Sequence, residues 1–169
     1  MTLVRDEPPV LVAPPLHRRL GCLAYDAILL IAIAVGISMV FTTVSGRARD
    51  QDIFLFRAIY ILAFGIYFSY AWNRSGQTLP MKTWHIKVVS RNSQILNIPQ
   101  AMIRYITSWL WISPLLLYHN FIGISNKLEF ITALLGGMLV YSMLSFLFFD
   151  KQYIHDKICR TRLIDTRTI

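Results

Sequence analysis

Long uninterrupted runs of apolar residues, not an alternation of apolar and polar positions, organise this chain. Residues 20–44 carry a single charge, Asp26, and residues 53–72 carry only Arg57. Residues 103–118 open beside Arg104 and contain Pro114, while residues 131–149 carry no charge and run up to Asp150. A helix crossing the hydrocarbon core needs about 20 apolar residues, within a range of about 17 to 25. The first, second and fourth runs meet that length; the third is short, and its proline predicts a tilt or kink. The pattern therefore predicts an all-α membrane protein, a four-helix transmembrane bundle spanning 20–44, 53–72, 103–118 and 131–149. The bundle lies within a domain of residues 17–164, flanked by an arm (1–16) and a short tail (165–169).

Between the runs the pattern changes. Pro8, Pro9, Pro14 and Pro15 make the arm an extended segment without helix. In the central loop Leu79, Trp84 and Ile86 punctuate Lys82, His85 and Lys87, which predicts a short interfacial helix running into a strand. Ile86 to Val89, a polar turn at 91–94 and Ile95-Leu96 then read as a β-hairpin, with Arg162 to Ile164 as a third short strand. Gly65 and Ser69, four apart in the second run, and Gly136-Gly137 in the fourth place small atoms where helices pack closely in lipid.

Composition sharpens this reading. Of the 169 residues 55% are apolar and only 15% charged, more apolar surface than one small soluble core could cover. The net charge of +8 lies between the runs, so nucleic-acid binding is not expected and charge bias of topology is. With four crossings, 13 of the 17 Lys and Arg fall on the side of both termini and the central loop. Both termini are accordingly expected in the cytoplasm. No cleavable signal peptide or lipobox is expected: Arg19 spoils the latter before Cys22, and the apolar run follows that cysteine instead of preceding it. Cys22 and Cys159 read as small buried hydrophobes.

Asp26 most needs explaining. It follows Arg19 by seven positions, nearly two helical turns, so the two share a face about 10 Å apart along the axis. A carboxylate at that depth costs several kcal/mol, roughly, unless it is paired, hydrated or protonated. The topology brings further polar groups to the same boundary: Gln77 and Thr78 after the second run, Arg104 at the start of the third, then Asp150, Gln152, His155 and Asp156 after the fourth. His17 and His85 lie on the same side, but no His/Cys spacing makes a metal site and no cofactor is expected. The absence of a Gly-rich phosphate loop or nucleophile elbow argues against an enzyme.

Arg19 with Asp26, the loop Gly76-Gln77-Thr78-Leu79-Pro80-Met81-Lys82 leading into Ile86 to Val89, and the ending Asp150-Lys151-Gln152 with His155-Asp156-Lys157 and Thr161 together resemble the RDD family of small bacterial membrane proteins. The resemblance covers about residues 17–164 and assigns Asp156 as the family's second aspartate. Pro80 departs from the family's usual glycine, and the 91–94 turn lacks the usual Asp and Gly. The resemblance implies a multi-pass protein of the bacterial inner membrane whose partners are the bilayer and either a second copy or another membrane protein. It implies no established activity; ion or proton-coupled transport is proposed for some members. Two functions follow: transport centred on Asp26, with Arg19 or Arg104 as its competing partner and His155 as a relay, or a non-transporting accessory module in which the Arg/Asp cluster is a structural clasp.

Overall fold

The computed structural model describes residues 12–46, 53–121, 123, 126–148 and 152–167. It is mostly helical. In chain order come α1 (Leu16–Ser45), α2 (Ile53–Arg74), α3 (Leu79–Thr83), β1 (Ile86–Ser90), α4 (Ile98–Ser108), a 3₁₀ turn (Trp109–Ile112), α5 (Ser113–Phe121), α6 (Lys127–Phe148), α7 (Ile154–Ile158) and β2 (Thr161–Asp165). Helices α1, α2 and α6 are each long and apolar enough to cross a membrane. Their outer faces present Ile28, Ile31, Met39, Leu62, Ile66, Leu135 and Leu139, all more than half exposed, surface that lipid covers and water would not.

Helix α1 starts directly after Pro14-Pro15, which cannot extend it backwards, and stops at Gly46. That glycine adopts φ 64° and returns its N–H to the Thr42 carbonyl at 3.0 Å, the left-handed ending that only glycine reaches without strain. The prolines predict an arm without structure up to residue 16. Residues 1–11 lie outside the described part, but from Val12 onward the arm is fixed: the Val12 carbonyl accepts from Asp165 N–H at 2.9 Å and Pro14 is buried.

The third apolar run differs most from a simple span. It is helical from 98 to 121 but broken in the middle by the 3₁₀ turn. Pro114 has no N–H for the Leu110 carbonyl, and the Ser113 hydroxyl donates to that carbonyl at 2.7 Å in its place. The first half, α4, starts on Asn97, whose side chain accepts from Gln100 N–H at 2.9 Å. It packs along α2, where Gly65 leaves room for the Tyr105 ring; a Cβ there would stand 3.0 Å from that ring. The second half, α5, packs on α6, with Pro114 seated against Gly137. Gly65 and Gly137 therefore lie against neighbouring helices, as the sequence pattern predicts, while Gly136 faces open space.

The hairpin is a correction. Strand β1 does not fold back on Ile95-Leu96; it pairs antiparallel with β2, Val88 opposite Leu163 and Ser90 opposite Thr161. The turn after β1 contains no glycine for a tight hairpin. It closes through Ser90 N–H to the Gln94 carbonyl at 2.8 Å, with Ser93 at φ 61°. The chain then drops Leu96 into the core, tied by Asn73 Nδ2 to the Leu96 carbonyl at 2.9 Å, and enters α4. The segment that reads as a third strand in the sequence is β1's partner.

At one end of the helices these pieces form a small cap. Its core joins Cys22 of α1, Trp72 of α2, Ala101 and Tyr105 of α4 and Tyr141 of α6 to Met81, Ile86, Val88, Leu96, Tyr153 and Leu163. Gly76, at φ 72°, hinges α2 into the cap; its carbonyl accepts from Val88 N–H at 2.8 Å, and a Cβ would meet the Val88 oxygen at 2.5 Å.

Candidate functional site

Helix α7 sits at the centre of the cap, and its two buried polar side chains, His155 and Asp156, reach α6 and α4 respectively. Asp156 is inaccessible to solvent. Its Oδ1 pairs with Arg104 of α4 and accepts from the Thr161 hydroxyl at 3.3 Å, and its Oδ2 accepts from Tyr153 N–H at 3.2 Å, capping α7. Arg104 also donates to Thr161 Oγ1 at 2.8 Å and lies over the Trp72 ring of α2, 4.8 Å from its centroid. Burial alone would raise the Asp156 carboxyl, but Arg104 and His155 hold it below the usual carboxylate range.

His155 lies beside both Tyr141 and Tyr153, the three rings nearly parallel and their centroids 5.3, 5.8 and 6.1 Å apart. Its backbone N–H donates to the Tyr141 hydroxyl at 3.4 Å, so that hydroxyl can donate to Nδ1 at 2.8 Å. The ring proton then belongs on Nε2, 3.6 Å from Asp156. Burial drives the imidazole down to about 4, outweighing Asp156, so it is neutral at physiological pH. Gln152 extends β2, accepting from Leu163 N–H at 2.8 Å and donating to the Leu163 carbonyl at 3.1 Å. Gln77 donates to the Ile86 carbonyl at 2.8 Å and so fixes the loop to β1. Asp150, also expected in this cluster, lies outside the described residues.

Arg19 and Asp26 do not pair, contrary to the expectation from their shared face. Helical side chains lean towards the N-terminus, so Arg19 reaches back to donate from Nε to the Pro14 carbonyl at 2.8 Å, with its guanidinium 5.5 Å from the Tyr153 ring. Nor does Arg104 serve Asp26, since Asp156 takes it. Asp26, half-buried, is met by Thr78 Oγ1 at 3.2 Å, Tyr67 OH at 3.4 Å and Cys22 Sγ at 3.7 Å. Among the described residues no cation pairs with it. Thr78 thus has two tasks, since its hydroxyl also caps α3 by accepting from Met81 N–H at 3.3 Å.

The RDD family model matches residues 13–160, most of the chain. The chain belongs to the RDD family. No curated protein and no solved structure matches it. In this RDD protein the polar residues singled out by sequence fall into two groups. Arg104 and Gln152 gather with His155 and Asp156 at α7, whereas Asp26 and Thr78 stand together where α1 meets the loop after α2. Arg19 and Gln77 adjoin these groups without pairing with either aspartate.

A second buried ion pair, Arg18 with Asp165, escapes the sequence pattern; Arg18 also donates to the Trp84 carbonyl. Asp165 belongs not to a loose tail but to the end of β2. Tyr67 and Cys22 are likewise not marked by sequence as neighbours of Asp26. Cys22 carries a usable signal, since positions four apart on a helix are neighbours. Tyr67 carries none, because its register against α1 depends on how two helices pack.

Proposed function

We propose that this RDD protein is a multi-pass protein of the bacterial inner membrane that binds a proton or cation at Asp26 and couples that binding to transport. The observation carrying this reading is the contrast among three of its aspartates. Asp156 and Asp165 each have an arginine, whereas Asp26 faces two hydroxyls and a thiol. A carboxylate in an apolar helix without a countercharge gains a great deal from a proton or a cation. The charge distribution, 13 basic residues against 4, supports four crossings with both termini in the cytoplasm, α4 and α5 together making the third. That orientation puts the cap in the cytoplasm and Asp26 just inside the membrane. The protein is then a non-enzymatic carrier that works alone or with a second copy.

The second reading, a structural clasp, is favoured for other residues. Arg104–Asp156 and Arg18–Asp165 are buried pairs that join chain segments far apart in sequence. Clasp and carrier are thus two parts of one protein: the arginines hold the cap, and Asp26 is left for the ion. The deciding experiment is proton flux in liposomes containing purified protein, compared with Asp26→Asn. Flux abolished in a folded Asp26→Asn protein supports the carrier; equal flux in both, or none in folded wild-type protein, leaves only the clasp.

A further inference from the structure

The cap exposes charge of one sign. Among its described residues, 72–108 and 152–167, both acids, Asp156 and Asp165, are buried against arginines, so the charges left at its surface are all arginine or lysine. Two of these are held side by side. Arg91 N–H donates to the Arg160 carbonyl at 2.9 Å, which carries the β1–β2 ladder one step beyond Ser90 and Thr161. Gln100, in the first turn of α4, fixes both chains: its Nε2 donates to the Cys159 carbonyl at 2.9 Å and lies 3.5 Å from Ser90 Oγ. Arg91 and Arg160 thus each follow a residue tied to the start of α4. Both are exposed, and no described carboxylate pairs with either. Like charges on paired backbone repel, and an anion between them relieves that cost. Beside the pair runs an apolar surface. The buried face of α4 holds Ala101, Arg104 and Tyr105, whereas Ile98, Met102, Ile103 and Ile106 are each more than half exposed. That strip extends about 12 Å along the helix axis.

We propose that this edge of the cap holds an anionic phospholipid of the adjoining leaflet, its phosphate at Arg91 and Arg160 and its acyl chains along the exposed face of α4. Neither half selects that occupant alone. A bare apolar strip accepts any chain or helix, and a bare pair of arginines accepts any phosphate; the two together match a molecule that is charged at one end and apolar at the other. Net charge decides which lipid. A zwitterionic headgroup carries its own cation next to the phosphate, whereas an anionic one leaves the phosphate charge to the arginines. A second copy is a poorer occupant, because a two-fold contact would set the same arginines against one another. The site shares no residue with the group around Asp26 and stands whether or not that group binds an ion.

The test is native mass spectrometry of the purified full chain in a non-ionic detergent, titrated with phosphatidylglycerol or with phosphatidylcholine. The wild-type chain should bind phosphatidylglycerol about tenfold more tightly. A basic residue beside an anionic headgroup is worth about fivefold in affinity. Arg91→Gln and Arg160→Gln should therefore each weaken phosphatidylglycerol by about fivefold, and the double variant by about 25-fold, with phosphatidylcholine unchanged. Lys82 and Arg167 supply a control of equal charge. They lie at the far end of the sheet, where Ile86 faces Asp165, about 14 Å away along the strands and beyond the screening length of about 8 Å. Lys82→Gln with Arg167→Gln should change binding less than twofold. If Arg160→Gln does not fold, Arg91→Gln carries the same comparison. Equal binding of the two lipids by wild-type protein, or an equal loss in the control and the arginine variants, overturns the site. Glycerol 3-phosphate, a headgroup without chains, should not displace the lipid at a hundredfold excess; displacement would assign the arginines to a free phosphate and overturn the lipid.

Discussion

Arg104 and Asp156 are 4% and 0% exposed, so losing either one leaves a charge in a place water cannot reach. Breaking such a pair costs about 3–5 kcal/mol, but removing both partners leaves no stranded charge. Arg104→Leu and Asp156→Leu should each lower folded stability by that order, and the double variant by clearly less than their sum, as read from detergent unfolding. The same cycle on Arg19 and Asp26 should be additive to within about 0.5 kcal/mol, because the two do not touch. His155 gives a pH prediction. Its folded value of about 4 lies below the unfolded value of 6.5, so the unfolded chain binds the extra proton between them. Stability is therefore full above about pH 6.5 and falls as pH drops through that window. Asp156, also lowered on folding, loses its contribution at lower pH still. His155→Gln should flatten the slope of Tm against pH between about 6.5 and 4; an unchanged slope would mean the ring does not titrate as its burial requires. The identity of these residues is legible in the sequence, because charge at a helix end in an apolar chain is conspicuous. Their partners are not: a shared helical face says which residues look the same way, and rotamer direction decides what they reach.

At the scale of elements, the break between α4 and α5 has a local cause in Pro114. Pro114→Ala restores the missing N–H and should let the helix continue through 109–112. Hydrogen exchange should then show added protection there if the turn is a consequence of the proline. The Gly65 seat is a sharper steric test. Tyr105 is held by its hydroxyl on the Ile61 carbonyl at 2.8 Å, so its ring cannot swing aside freely. Gly65→Leu should cost about 1–3 kcal/mol by overpacking, whereas Gly136→Leu, which faces open space, should cost far less. The long helices are legible because a run of about 20 apolar residues matches the thickness of a bilayer and exceeds what a strand or a loop can use. The sheet is legible only as two strand-like segments. Alternation marks a strand but does not name its neighbour, and the nearest segment in sequence, Ile95-Leu96, is needed to lead into α4.

At the scale of the molecule, the proposed orientation makes a plain prediction. Reporters fused at both ends should read as cytoplasmic, and cysteines placed at 45–52 should react with impermeant reagents from outside. A C-terminal reporter on the far side would remove the crossing assigned to α4 and α5 and carry the cap away from Asp26. The pairings that close the cap also impose an order in time. Arg18 and its aspartate are 147 residues apart, and Arg104 waits 52 residues for Asp156. A ribosome adding roughly 5–20 residues per second will have delivered α1 and α2 many seconds before residues 152–165 exist. Throughout that interval Arg18 lacks its countercharge, and once β1 and α4 are made Arg104 lacks its own and β1 has an open edge. The nascent protein thus spends its early life exposing the features that chaperones and membrane proteases recognise, and synthesis of one short C-terminal segment conceals them all together.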